Sequence, residues 1–297
     1  MTEPSDTAFD LEAAPPAYKS GFSRGLARFR RNKLAVIGTV ILALTVVIGV
    51  FAPWIAPYPD DISDAVHFDK LLQPPSWQHL MGTDEAGRDI LTRLMYGARL
   101  SLLTAFVVLG ISVVIGVPIG LVAGYYGGRV ETILMRITDT FSSMPALVLA
   151  LAIAVVMGAD LIHSMIAIGL VWWRGFARIA HGQTLSLKQE GYVVMARTLG
   201  ASDLHVMFRE ILPNMTSPLL VTISLDAGFA ILIGTAISFL GAGASPPTAE
   251  WGLMIASGRH YLPDAWWPSL FPGLAIFVVV LSFNLLGDGL RDFFGED

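Results

Sequence analysis

The fold is decided by an uncharged stretch between Leu100 and Gly128, which reads LSLLTAFVVLGISVVIGVPIGLVAGYYGG. A helix needs about 20 apolar residues to cross the roughly 30 Å hydrocarbon core of a bilayer, so this stretch predicts a membrane span. Four other stretches also lack Asp, Glu, Lys and Arg, namely residues 34–59, 140–159, 227–249 and 265–287. The sequence therefore predicts an all-α, polytopic membrane protein.

The composition supports this class and excludes several kinds of chemistry. Hydrophobic residues make up 54% of the chain and charged residues 14%, whereas soluble domains carry about 25% charged residues. The absence of cysteine excludes disulfides, thiolate metal sites and iron–sulfur clusters. None of the lysines follows a glycine, which excludes a Walker A loop, and no His-Glu-x-x-His motif is present. We therefore expect neither a metal nor a cofactor, and the net charge of −5 gives no reason to expect nucleic-acid binding.

Six spans are predicted, at residues 34–56, 99–124, 133–157, 161–180, 214–242 and 267–290. In this layout 14 of the 19 Lys and Arg residues lie on the side of the N-terminus and five on the opposite side. Because basic residues are retained in the cytoplasm, both termini are predicted to be cytoplasmic. The remaining segments are then a cytoplasmic tail, 1–33, two external loops, 57–98 and 243–266, and a cytoplasmic loop, 181–213. Residues 99–297 would form the main transmembrane domain.

The second span carries four glycines spaced four residues apart, Gly116, Gly120, Gly124 and Gly128. This spacing places them on one helix face, where small residues allow two helix backbones to approach closely. Helix packing is the simpler interpretation, and a sliding or hinge surface beside a translocation path is the alternative.

Four polar residues in or beside the predicted spans are candidates for a translocation path: Asp139, Ser142, Asp226 and Asn284. A carboxylate in the bilayer is costly and needs a partner or water. Asp226 interrupts the uncharged stretch 211–249, so it either lines the path or pairs with another helix. Asp139 either lines the path or pairs with Arg136 near the cytoplasmic interface. Asn284 has a weaker case, since amides often hold helices together.

The cytoplasmic loop carries the strongest local pattern, because apolar residues recur at helical spacing on both sides of Gly200-Ala201-Ser202. They are Tyr192, Met195, Ala196 and Leu199 before the turn, and Leu204, Met207, Phe208 and Ile211 after it. This predicts two short amphipathic helices, with Gly200 ending the first, Ser202 capping the second and Pro213 standing where the next span begins. Such a pair either lies on the lipid surface or docks into a groove of a partner protein.

At this loop the sequence resembles the inner-membrane permeases of ABC importers. Their signature combines Glu-Ala-Ala, a Gly and a final Leu-Pro, and it is present here as Val194-Met195-Ala196, Gly200 and Leu212-Pro213. Further motifs are similar to those of the C-type permease in the dipeptide, oligopeptide and nickel subfamily. They are residues 30–35 (RRNKLA), 81–89 (MGTDEAGRD), 96–99 (YGAR), 238–241 (SFLG), 251–252 (WG) and 283–292 (FNLLGDGLRD). Val194 and Gly234 depart from the family pattern, which commonly has Glu at both positions.

The resemblance implies a transport subunit with no catalytic residue, importing dipeptides or oligopeptides, with nickel chelates or another small solute as the alternative. The implied partners are a homologous second permease, two ATPase subunits that bind ATP, an extracytoplasmic substrate-binding protein and the lipid bilayer. The implied location is the cytoplasmic membrane of a bacterium or archaeon. In this family the loop 181–213 would be the coupling loop, which docks to an ATPase. Its docking residues would be Tyr192, Met195, Ala196, Leu199, Gly200, Ala201, Ser202, Asp203, Leu204, Phe208 and Pro213.

The two external loops would receive the binding protein. Candidate contacts are Asp84, Glu85, Arg88, Asp89 and Trp251. The alternative for the charged run is an amphipathic helix on the membrane, with Asp84 and Arg88 paired across one turn.

Two other functional classes fit the sequence less well. A stand-alone secondary transporter often shows inverted repeats and broken helices, neither of which is clear in this sequence. An intramembrane hydrolase needs a Ser–His pair, but His163 and Ser164 are adjacent and therefore point apart on a helix.

Overall fold

The computed structural model describes residues 21–295, so residues 1–20 of the predicted tail lie outside the described part. Within that part the chain is helical, and its only strand-like feature is an isolated bridge between Thr83 and Asp89. The α-helices are α1 (Gly21–Arg31), α2 (Lys33–Ile55), α3 (Ile90–Tyr126), α4 (Gly128–Ser142), α5 (Ala146–Met157), α6 (Leu161–Leu187), α7 (Gly191–Thr198), α8 (Asp203–His205), α9 (Thr216–Phe239), α10 (Trp251–Gly258) and α11 (Trp267–Phe294). The predicted all-α membrane fold is confirmed.

Four helical runs are long and apolar enough to cross a bilayer: α2, α3, Asp203–Phe239 and α11. The third of these includes α8, a π-helical turn at Val206–Ile211, a 3₁₀ turn at Leu212–Met215 and α9. The bent pair α4–α5 makes a fifth if it is one span. The expected fourth span, α6, is 27 residues long but carries Arg174 and Arg178. The count of six and the cytoplasmic termini therefore stay predictions.

Several predicted boundaries differ from the observed helices. The second span begins earlier than expected, because α3 starts at Ile90 behind an Asp89 side chain that accepts the Thr92 N–H. The fourth continues to Leu187, so the first residues of the coupling loop are helical. The loop 243–266, which was predicted to be external, contains α10. Local capping decides these ends, and hydropathy alone does not report it.

The predicted third span is broken rather than continuous. α4 and α5 meet at 87° across the short break that ends at Pro145. Proline cannot donate to the carbonyl four residues earlier, which belongs to Phe141. Arg174 Nη1 donates to that oxygen at 3.2 Å, whereas the Ser142 hydroxyl donates to Thr138 O at 2.8 Å. An arginine of α6 therefore satisfies the group that the break releases.

The glycines of α3 form its contact with α6. A Cβ at Gly116 or Gly120 would meet the backbone carbonyl of Trp173 or Ala177 respectively, and one at Gly124 would lie 2.7 Å from Thr184 Cβ. Gly128 does not belong to this stripe, because it lies past the end of α3 with φ +54° and open space around it. Helix packing is thus the structural role of the first three glycines.

The other long helices pack around α11. A Cβ at Gly38 of α2 would lie 2.8 Å from Ser282 O, and Gly228 of α9 faces Val280. The short α1 lies on the end of α11, where Phe22 and Phe293 meet edge to face at 5.6 Å. α2 and α9 therefore converge on α11, while the α3–α6 pair forms the other half of the bundle.

We predict that Gly120→Leu destabilises the fold, because the new side chain would overlap the backbone of α6. Overpacking of this kind costs about 1–3 kcal/mol, and the melting temperature of the detergent-solubilised chain should fall by several degrees. Gly110→Leu is the matched control, since Gly110 lies in the same helix with nothing within 4 Å of its Cβ position. Equal melting temperatures for the two variants would contradict the close contact.

Candidate functional site

The turn at the centre of the coupling loop is a Schellman motif. Gly200 has φ +86°, a conformation that favours glycine. Its N–H donates to Arg197 O, and the Ala201 N–H donates to Ala196 O, both at 3.0 Å. These two bonds close the end of α7 in the pattern expected of a left-handed cap. The prediction that Gly200 ends the first short helix is confirmed.

The second short helix is not separate. Ser202 caps α8, with its Oγ accepting the His205 N–H at 3.4 Å, as predicted. α8 then runs on through the π and 3₁₀ turns into α9, and Pro213 lies in the 3₁₀ turn. A π turn carries one extra residue and is often found at functional sites.

The loop turns one set of apolar side chains inward and another outward. The inner set is buried and consists of Val193, Val206, Met207 and Ile211. The outer set is exposed by 41–81% and consists of Tyr192, Met195, Leu199, Leu204 and Phe208. The apolar residues predicted to share one face are therefore split between two environments. Met207 and Ile211 are buried, whereas the large apolar docking candidates are exposed. Ala196 and Ala201 are half-buried, and Ser202 and Asp203 are exposed.

Polar contacts tie this loop to the end of α3. The Tyr125 hydroxyl donates to Asp203 Oδ1 at 2.7 Å, and the Arg197 guanidinium lies 5.7 Å from the centre of the Tyr125 ring. Lys188 Nζ donates to Gly124 O at 2.7 Å. Sequence reasoning missed all of these contacts, since nothing local connects residue 125 with residue 203.

Three of the four proposed path residues bond to groups that the sequence did not indicate. Asp139 Oδ1 accepts from Arg178 Nη2 at 2.8 Å, so its partner is not Arg136. Asp226 Oδ2 accepts from Trp172 Nε1 at 3.0 Å, which links α9 to α6. The third, Asn284, donates to Val280 O within its own helix. Ser142 bonds within α4, as described above.

The charged run of the external loop 57–98 is an internal network. Asp84 Oδ1 accepts the N–H groups of Ala86 and Arg88 at 2.9 Å, and Arg88 Nε donates to Asp84 Oδ2 at 2.8 Å. Asp89 Oδ1 lies 3.0 Å from His79 Nδ1. Asp84, Arg88 and Asp89 are buried.

These positions correct two expectations. The run is a turn rather than an amphipathic helix, although the predicted Asp84–Arg88 pair is present. The side chains of Asp84, Arg88 and Asp89 are not surface groups of this chain, and only Glu85 is partly accessible. The physical reason is that buried charges must be paired, and the loop pairs them with each other.

Arg93 connects the two loops that were predicted to be external, and sequence reasoning did not single it out. It is buried, and its Nη1 donates to Asp61 O at 3.1 Å. Its Nη2 donates to Pro247 O at 3.0 Å and to Thr248 O at 3.2 Å. One planar guanidinium thus holds the start of α3, the loop 57–98 and the loop 243–266 together.

Trp251 is also internal, with 2% of its surface exposed. Its Nε1 donates to Leu94 O at 3.0 Å, which fixes α10 against α3 rather than presenting the ring to a partner. The preceding Glu250 caps α10 by accepting the N–H groups of Gly252 and Leu253. Burial raises the pKa of Glu250, and those N–H groups oppose the shift.

Two further features bear on metal binding and on the Ser–His pair in the described residues. In the range 21–295, no group of three or more His, Asp and Glu side chains could hold a metal ion. The Ser164 hydroxyl donates to Leu161 O at 2.8 Å, while the His163 ring pairs with Asp160. Each residue of that pair is therefore engaged with a different group.

Comparison with known proteins identifies the family. Residues 116–296 match the model of the binding-protein-dependent transport system inner membrane component. Residues 21–75 match the N-terminal transmembrane domain of oligopeptide transport permease C. In the solved structures, a crystal structure of an amino acid ABC transporter with histidines has the same fold, with a TM-score of 0.50 and 16% identity. That match covers 67% of this chain and 92% of the other.

Curated relatives match along most of the sequence. A probable D,D-dipeptide transport system permease protein of Escherichia coli K12 is 43% identical, over 88% of this chain and 87% of its own. A di/tripeptide transport system permease protein of Pseudomonas aeruginosa is 42% identical, over 93% and 92%. A glutathione transport system permease protein of Escherichia coli O6:K15:H31 is 42% identical, over 89% and 87%. The chain therefore belongs to the family of binding-protein-dependent transport system inner membrane components, the permease subunits of ABC transporters, which are transport subunits and not enzymes.

Proposed function

We propose that this chain is the C-type permease of an importer for dipeptides or short oligopeptides in a bacterial cytoplasmic membrane. The observation that carries the substrate class is the agreement among relatives that match over 87–92% of their own lengths. They are named for a D,D-dipeptide, di- and tripeptides, and glutathione, which are all short peptides. The match to the N-terminal domain of an oligopeptide permease C supports the subunit type.

The assembly that we propose contains this chain, a homologous second permease, two ATPase subunits and an extracytoplasmic binding protein. The chain has no Walker A loop of its own, so ATP must be bound by other subunits. With both termini in the cytoplasm, the coupling loop faces the ATPases, and the loops 57–98 and 243–266 face the binding protein.

The coupling loop is the ATPase docking surface in this proposal. Its outer side chains are large and apolar, and Leu199 beside the turn is 81% exposed. Exposed apolar side chains on a short helix are typical of a segment that fills a partner's groove. The buried inner set and the Schellman turn hold the surface in one shape, which suits a contact that must transmit force.

We predict that Leu199→Asp greatly reduces co-purification of the ATPase subunits, because a charge would enter an apolar groove. Uptake of radiolabelled alanyl-alanine by cells that rely on this transporter should fall in parallel. Leu80→Asp is the matched control for ATPase recovery, since Leu80 is an exposed leucine, 57% accessible, in the loop 57–98. Normal ATPase recovery with Leu199→Asp would contradict docking at this turn.

Asp226 is the residue that we propose to line the path. Only its Oδ2 has a hydrogen bond among the described contacts, which leaves Oδ1 for a substrate group. A carboxylate is suited to the free ammonium group of a peptide, since charge-assisted hydrogen bonds are the strong ones. Asp139, Ser142 and Asn284 bond to their own surroundings and are weaker candidates.

We predict that Asp226→Asn lowers alanyl-alanine uptake about tenfold, because the neutral amide still accepts a hydrogen bond but lacks the negative charge that strengthens the bond to an ammonium group. N-acetylated alanyl-alanine, which has no ammonium group, is the matched control substrate. The ratio of the two uptake rates separates recognition from a folding defect. If Asp226→Asn leaves that ratio unchanged, Asp226 does not bind the amino terminus.

A further inference from the structure

The last turn of α3 contacts residues on both sides of Gly200. Arg197 lies three residues before Gly200 and Asp203 three residues after it. Arg197 lies over the face of the Tyr125 ring, and Asp203 accepts the hydrogen bond of the same tyrosine. One side chain of α3 therefore contacts both ends of the turn.

The tip of the turn, around Gly200, projects away from the rest of the chain. The Cβ position of Gly200 has nothing within 4 Å, and Leu199 and Leu204 point away from the chain with 81% and 63% exposure. Close to the turn, the other inward side chains, Val193 and Met207, are apolar and buried. The other polar contact with α3, from Lys188 to the Gly124 carbonyl, lies further back, at the end of α6. Apolar contacts permit sliding more readily than a directional hydrogen bond, so Tyr125 fixes the position of the turn relative to α3.

α3 extends from the contact of Tyr125 with Arg197 and Asp203 to the loops 57–98 and 243–266. Its 37 residues span about 55 Å at 1.5 Å per residue. Gly116, Gly120 and Gly124 hold it against α6 over its second half. At its other end Arg93 and the Leu94 carbonyl hold the loops 57–98 and 243–266. A shift of α3 along its axis would therefore displace both of these loops.

We infer that Tyr125 is a positioning residue that relays movement of the coupling loop to α3, through its hydrogen bond to Asp203. The inference rests on the proposed function, because it requires that an ATPase moves the loop. Tyr125 is half-buried and is not one of the docking side chains. Its hydroxyl is needed for coupling and not for ATPase binding.

The test uses the complete transporter, reconstituted in proteoliposomes with its two ATPases, second permease and binding protein. Alanyl-alanine transported per ATP hydrolysed is measured for the wild type and for Tyr125→Phe, which removes only the hydroxyl. We expect a two- to tenfold lower ratio, the range that one lost hydrogen bond produces. ATPase recovery should be unchanged.

Tyr126→Phe is the matched control, because Tyr126 is the exposed neighbour and its hydroxyl has no hydrogen bond in the described contacts. Asp203→Ala should reproduce the defect with ATPase recovery unchanged, because its carboxylate accepts from Tyr125, and the double variant should be no worse than either single one. Asp203→Asn keeps an acceptor oxygen and should retain most of the coupling. If Tyr125 had a purely structural role, Asp203→Ala would not match Tyr125→Phe while Asp203→Asn stayed close to the wild type.

The possible failures are distinguishable. If wild-type complexes contain no ATPase bound to this chain, the proposed function is wrong. If they do, and Tyr125→Phe transports as many peptides per ATP as the wild type and Tyr126→Phe, the relay through Tyr125 is wrong. Additive losses in the double variant would also overturn it.

Discussion

The structure depends on the close contact between α3 and α6. In a bilayer the hydrophobic effect does not drive helices together, so association relies on packing and on interhelical hydrogen bonds. Gly116, Gly120 and Gly124 bring the two backbones so near that no Cβ fits between them. Lys188 then closes the end of the pair by donating to the Gly124 carbonyl. The coupling loop follows directly from α6, and this contact places it beside α3.

The two ends of the α3–α6 pair are held by different kinds of interaction. The end that holds the loops 57–98 and 243–266 carries a buried network of charges, in which Arg93 satisfies carbonyls from both loops. The opposite end presents a rigid turn with exposed leucines and phenylalanine. A permease must pass force from one surface to the other, and a well-paired interior with a firm apolar tip suits that task. The break at Pro145, stabilised by Arg174, lies beside the same pair.

Much of this arrangement was predictable from sequence because it depends on local chemistry. Uncharged runs predicted the long helices, glycine spacing predicted the α3 contact, and the Gly200-Ala201-Ser202 sequence predicted the turn. The partners of charged groups were not predictable, since Asp139 bonds to Arg178 and Arg93 to Pro247 across long stretches of chain. The external charges looked like a docking surface for the same reason: a sequence shows that charges are present but not whether they neutralise one another.

The most direct test of the central claim is site-specific crosslinking from the turn. The chain contains no cysteine, so Leu199→Cys carries a single thiol for a photoreactive label in native membranes. The account predicts a crosslinked product with an ATPase subunit, and none from the same label at Trp77, which is 96% exposed in the external loop. A label at residue 199 that reacts only with lipid, in membranes where uptake is intact, would contradict the account.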